Sequence, residues 1–96
     1  AIIYIVMLNT YLSEALGSFV FFLIVLATGD PIMMAVALLI GILVASLGSQ
    51  GHLNPAITAM RLMTGEMAQE EGLKYIGAQL LGAFVAVQWY NQLKKD

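Results

Sequence analysis

The sequence predicts an all-α membrane protein with three spanning helices and one re-entrant half-helix, in a single transmembrane domain over residues 1–96. Three observations carry that prediction. Of the residues, 60% are hydrophobic and only 10% charged, which leaves too little polar surface to clothe a small water-soluble domain. Long apolar runs are closed by turn signals at about the length a bilayer demands, roughly 20 residues per crossing. One further apolar segment is broken by Asn54-Pro55 and is too short to span.

Taken in order, Ala1 to Leu8 are apolar without a basic flank, and Asn9-Thr10 lead into a longer apolar run rather than a cleavage site. No signal peptide is expected. Helix 1 is predicted at about 11–28, with no polar side chain from Phe19 to Leu26, and Gly29-Asp30-Pro31 closes it. Helix 2 is predicted at about 31–47, opened by Pro31 in its first turn and broken by Gly48-Ser49-Gln50-Gly51. Helix 3 is predicted at about 69–92, with Glu70 and Glu71 favoured by the dipole of its first turn and Trp89, Tyr90, Lys94 and Lys95 marking an interface.

Between helices 2 and 3, residues 48–64 are too apolar for an aqueous loop and too broken for a crossing. Asn54 is a good N-cap and Pro55 a good first helical residue, so a half-helix of about two turns starts there and ends near Thr64-Gly65. Irregular backbone at membrane depth is tolerated only inside protein or along a wet cavity. Gly51, His52 and Leu53 are therefore candidate lining of a passage. A half-helix starting in mid-membrane aims its unpaired N–H groups at whatever occupies that passage. If the Asn54 side-chain oxygen caps the helix, its NH2 faces the lumen as a donor.

Gly51-His52-Leu53-Asn54-Pro55-Ala56-Ile57-Thr58 closely resembles the first Asn-Pro-Ala loop of the aquaporin and glycerol-facilitator family, the major intrinsic proteins. The likeness extends to Ser13-Glu14-Ala15-Leu16-Gly17-Ser18-Phe19 in helix 1 and to Tyr75-Ile76-Gly77-Ala78-Gln79-Leu80-Leu81-Gly82-Ala83 in helix 3. Roughly residues 11–90 thus resemble the first of the family's two inverted repeats. What the resemblance implies is a passive channel for water or small uncharged solutes such as glycerol, urea or ammonia. Asn54, Pro55 and Ala56 would stand at its constriction. Glu14 would act as a buried structural acceptor for backbone N–H groups of the loop, with Gln79 doing similar work from helix 3, and His52 would stand near a mouth.

The filter departs from the family pattern. Where the family's second Asn-Pro-Ala motif is followed by arginine, Ala56 here is followed by Ile57, and Arg61 stands a turn further on. Val36 and Val44 fall where aromatic or histidine filter residues often stand in the family. A lining of Ile57, Val36 and Val44 implies a wider or drier pore than that of a strict water channel.

Three crossings put the chain ends on opposite sides, with Arg61 and Lys74 on one side and Lys94 and Lys95 on the other. That balance predicts insertion in both orientations. The expected partner is a second copy as an antiparallel homodimer, which supplies the opposed half-helix; four such dimers, eight chains in all, follow by family resemblance.

Two rival readings stand beside the channel. Glu14 is the one acid inside a predicted span, and intramembrane acids are functional by default, so a proton-coupled transporter like the small multidrug transporters is the first. A non-transporting scaffold or lysis component is the second. Dispersed cations and a net charge of −2 give no reason to expect nucleic acid. No cofactor or metal is expected, and one His, one buried Glu and no Cys form no catalytic set, so the chain is not read as an enzyme. Localisation is integral to a membrane that the sequence does not specify. Ala37, Gly41 and Ala45, and likewise Ala78, Gly82 and Ala86, recur at four-residue spacing and should face other helices rather than lipid.

Overall fold

The computed structural model describes residues 1–2, 4–5 and 9–95, so part of the Ala1 to Leu8 stretch, where no signal peptide is expected, lies outside the described residues. From Thr10 onward the chain forms α1 (Thr10–Ala27), α2 (Pro31–Ala45), α3 (Pro55–Met63) and α4 (Gln69–Leu93), with no strand among the described residues.

Three of the four helices start on a side-chain cap. Asn9 Oδ1 accepts from the backbone N–H of Tyr11 and Leu12 at 3.1 and 2.9 Å. Asp30 Oδ2 accepts from Met33 N–H at 3.3 Å with Pro31 at the first position, and Asn54 Oδ1 accepts from Ala56 N–H at 2.9 Å with Pro55 in the same place. Each such cap typically contributes about 1 kcal/mol by satisfying a donor the helix leaves open. α4 starts without one, on Ala68, and carries Glu70 and Glu71 in its first turn instead. α2 stops at Ala45, two residues before its predicted end. There the backbone tightens, with Leu47 N–H reaching Val44 O and Gly48 N–H reaching Ala45 O, both at 3.2 Å.

α1 is the middle of the bundle, with α2 packed on one side and α4 on the other, while α3 lies on α4. Small residues make both seams. A Cβ on Gly17 would sit 2.6 Å from Ala45 Cβ and from the Gly41 carbonyl oxygen; a Cβ on Gly82 would sit 2.5 Å from the Ala15 carbonyl oxygen. Both stripes, Ala37-Gly41-Ala45 and Ala78-Gly82-Ala86, are buried. In lipid the hydrophobic effect does not drive helices together, and such close backbone approach is what remains.

Polarity is inverted relative to a water-soluble domain. The largest fully buried side chains are Tyr75, Leu53, Gln79, Glu14, Thr58, Ser13 and Ser18, whereas Ile32, Leu39, Leu43, Leu80, Leu81, Phe84 and Trp89 are exposed. Among the described residues α1 alone is both long and apolar enough to cross a membrane by length and composition. α2 is apolar, but its 15 residues span only about 22 Å at 1.5 Å each. α4, with 25 residues, is long enough but carries Gln79, Gln88 and Gln92 along its length.

Candidate functional site

The segment between α2 and α3 is the least regular part of the described chain. Gly51 and Leu53 both take positive φ, 70° and 61°. For glycine this is easy, and a Cβ at Gly51 would in any case lie 2.7 Å from Ser46 Oγ. For leucine it is strained, at a cost of order 1–3 kcal/mol that the surroundings must offset. Leu53 is held at both ends: its N–H donates to Glu14 Oε2 at 2.5 Å, and its side chain is fully buried against Gly41, where an added Cβ would come 2.8 Å from Leu53 Cδ1. No residue in the sequence announces this left-handed leucine.

Glu14 organises the segment. Its Oε1 accepts from the Ser49 hydroxyl at 2.8 Å and His52 N–H at 3.2 Å; its Oε2 accepts from Leu53 N–H and, at 3.0 Å, from Gln79 Nε2. A fully buried carboxylate is tolerable when its oxygens are met by donors in this way. Gln79 departs from its expected role, since it donates to side chains, Glu14 Oε2 and Thr58 Oγ1, rather than serving the loop backbone. Among the described residues its own Oε1 and the Ser18 hydroxyl are buried without a hydrogen-bond partner.

A second layer of bonds holds His52. Its Nδ1 lies 2.9 Å from Thr58 Oγ1 and its Nε2 lies 3.1 Å from Gln50 Oε1, while Gln50 N–H donates to the Tyr75 hydroxyl at 3.0 Å. The Tyr75 ring stacks at a tilt on the imidazole with centroids 4.6 Å apart. Ser49, Thr58 and Tyr75 belong to this network although no motif in the sequence assigns any of them a role in it. The signal was there in spacing: Thr58 follows Asn54, and Gln79 follows Tyr75, by four residues on one helical face.

The predicted lining residues separate into two groups. His52 and Leu53 are buried within the chain, so their side chains form no open wall, and Gly51 is half-buried. Asn54, Ala56, Ile57 and Val36 are exposed, with Pro55 and Val44 half-buried. Because the Asn54 oxygen is committed to Ala56 N–H, its NH2 is turned away from the helix it caps. A groove of about 460 Å3 between α1 and α4, beside Tyr11, Leu12, Lys74 and Leu81, includes none of these residues. At the far end of α3, Arg61 pairs with Glu66, and bonds from Thr64 and then Arg61 hold the Glu66 carboxyl below its usual range.

The family model described as major intrinsic protein matches residues 2–95. The chain belongs to the major intrinsic protein family. Members of that family are integral membrane proteins, and the membership leaves no place for an enzyme reading. Among relatives, the chain is 35% identical over 88 residues to glycerol uptake facilitator protein-like 6 of Lactiplantibacillus plantarum, a match covering 82% of this chain and 41% of that one. It is 39% identical over 70 residues to aquaporin-2 of Orycteropus afer, covering 71% and 64% respectively, and 50% identical over 52 residues to aquaporin TIP2-2 of Zea mays, covering 54% and 21%. The chain thus spans between about a fifth and two thirds of the length of these family members. No solved structure matches it.

Proposed function

We propose that the chain forms one half of a passive membrane channel for water and small uncharged solutes, with a second copy in the opposite orientation supplying the other half. The observation that carries this reading is the tip of α3: an exposed Asn54 caps the half-helix with its oxygen and presents its NH2 outward, on a loop locked from behind by Glu14. Two such tips meeting at mid-membrane would orient a water oxygen toward both and disfavour cations. The balance of Arg61 and Lys74 against Lys94 and Lys95 supports insertion both ways, and assembly of four dimers follows the family resemblance.

With Ile57 and Val36 exposed and no arginine beside Ala56, glycerol, urea or ammonia are candidate solutes as well as water. The rival proton-coupled reading fits the geometry less well. Three of the four groups bonded to Glu14 are N–H donors that cannot take a proton from it, so the carboxylate serves as an anchor.

Stopped-flow shrinkage and swelling of vesicles containing only this chain tests the proposal. Wild type should speed water and neutral-solute flux without a pH gradient, Asn54→Asp should admit cations, and Ile57→Arg should lower glycerol flux more than water flux. Two lysines added at the N-terminal side should suppress flux until a copy with lysines added after Lys95 is co-expressed. Flux in the orientation-biased copy alone would remove the antiparallel pair, and no flux from wild type would remove the channel built from this chain alone.

A further inference from the structure

The half-helix that carries Asn54 is held by few contacts. Of the nine residues of α3, Thr58 alone is buried, while Ile57, Met60 and Met63 are exposed. Its C-terminal turn is pinned by Leu62, which fills the space above Gly72: a Cβ there would come 2.5 Å from Leu62 Cδ2. Its N-terminal turn rests on the Thr58 hydroxyl.

Counting hydrogens assigns each bond around that hydroxyl. Gln79 Nε2 bonds Glu14 Oε2 at 3.0 Å and Thr58 Oγ1 at 2.9 Å, which uses both hydrogens of the amide. The Thr58 oxygen is therefore an acceptor from α4. Its own hydrogen has two acceptors in range, His52 Nδ1 at 2.9 Å and the Asn54 carbonyl at 3.5 Å, and the shorter contact is the better bond. That leaves the imidazole proton on Nε2, where Gln50 Oε1 receives it. One hydroxyl thus ties α3 to the loop, to α4 and, through Gln79, to Glu14 on α1. Thr58 stands four residues after Asn54, on nearly the same helical face. Any rotation of α3 that breaks these bonds swings the Asn54 amide.

We propose that Thr58 is the positioning residue of the half-helix tip: its hydroxyl fixes the rotation of α3 and with it the direction of the Asn54 NH2 donors. The proposal rests on the half-channel reading for its consequence in transport, but its geometry is testable without transport. Thr58 is fully buried, so it acts through Asn54 and not on a solute.

The test uses the 96-residue chain in lipid bilayers, with 15N-labelled histidine and asparagine observed by solid-state NMR, beside flux in vesicles at equal folded protein. Wild type should show His52 protonated on Nε2 and bare on Nδ1. Thr58→Val keeps the shape and removes the hydroxyl; it should shift the Asn54 side-chain amide signal and raise cation leak relative to water flux about tenfold, the scale of a lost buried hydrogen bond. Thr58→Ser restores the hydroxyl and should return both readouts to within about twofold of wild type. A role in stability alone would lower the folded yield and leave the leak ratio and the Asn54 signal where they were. That result, or a proton on Nδ1 in wild type, overturns the proposal. If no vesicle conducts, the half-channel reading fails while the Asn54 signal still decides the positioning role. If Thr58→Val does not fold, the wild-type tautomer and the Thr58→Ser signal decide it.

Discussion

The two halves of α1 follow opposite rules. From Ser13 to Ser18 the helix buries Ser13, Glu14, Gly17 and Ser18, so its inward face is polar or has no side chain at all. From Phe19 to Ala27 every residue is apolar and none is buried. The first half is shaped by what it must hold, a loop with a left-handed leucine and a half-helix tip. The second is apolar throughout and half-buried as far as Val25, with Phe19 edge-on to Trp89 and Phe21 close to Gly41. The contrast teaches that burial in this molecule goes with polar groups and close packing, whereas the exposed surface is apolar, as suits a family of integral membrane proteins.

The largest effect should come from the polar half. Glu14→Ala strips the acceptor from the Ser49 hydroxyl, two backbone N–H groups and Gln79 at once, and should cost roughly 3–5 kcal/mol, the scale of breaking a buried charged set by removing one partner. The check is the yield and thermal unfolding of detergent-solubilised protein. A variant as stable as wild type would mean that the loop is held by other contacts, and the contrast between the halves would collapse.

Next come the seams. Gly17→Ala places a Cβ 2.6 Å from Ala45 Cβ and the Gly41 carbonyl, which are backbone or rigid atoms with no rotamer to yield, and should cost about 1–3 kcal/mol through forced separation of α1 and α2. Gly82→Ala should act alike on α1 and α4, with the Ala15 carbonyl 2.5 Å away. Melting temperatures of the two variants and of the pair would show whether the seams fail independently.

Exposed apolar positions sharpen the contrast from the other side. Leu39→Ala, on a residue 58% exposed, should change stability by no more than about 0.5 kcal/mol in detergent. A larger loss confined to the bilayer-reconstituted protein would place Leu39 against a partner chain instead of lipid.

The smallest effect belongs to the surface pair at the end of α3. Bonds from Thr64 and Arg61 lower the Glu66 pKa from its ordinary value of 4.5, so any stability they confer is present above that value and fades as pH falls through the lower, folded one. Glu66→Gln should melt slightly below wild type at pH 6 and level with it at pH 3. A gap that persists at pH 3 would point to packing instead of charge.

Much of the helical frame is legible because its signals are local: Asn9, Asp30 and Asn54 before helix starts, Pro31 and Pro55 at first positions, and glycines and alanines at four-residue spacing. Glu14 is legible because an acid in an apolar run stands out. Thr58 and Tyr75 show only as four-residue neighbours of Asn54 and Gln79, since a threonine in a short helix and a tyrosine in a long one are ordinary and their partners lie on other elements. The inward side chain of His52 was hidden for a related reason. Its ring is held by Thr58, Gln50 and Tyr75, on a loop whose left-handed Leu53 no local preference of leucine foretells.

The bonds of Glu14 also impose an order on biosynthesis. Its partners stand 35, 38, 39 and 65 positions later in the chain. At a synthesis rate of about 5–20 residues per second, the last of them emerges roughly 3 to 13 s after Glu14 itself. Ser49, His52 and Leu53 are made about midway through that interval, and until Gln79 follows the acid on α1 lacks its donor from α4. The donor set of Glu14 is therefore completed only when α4 is made, and truncation before Gln79 should leave the carboxylate one donor short.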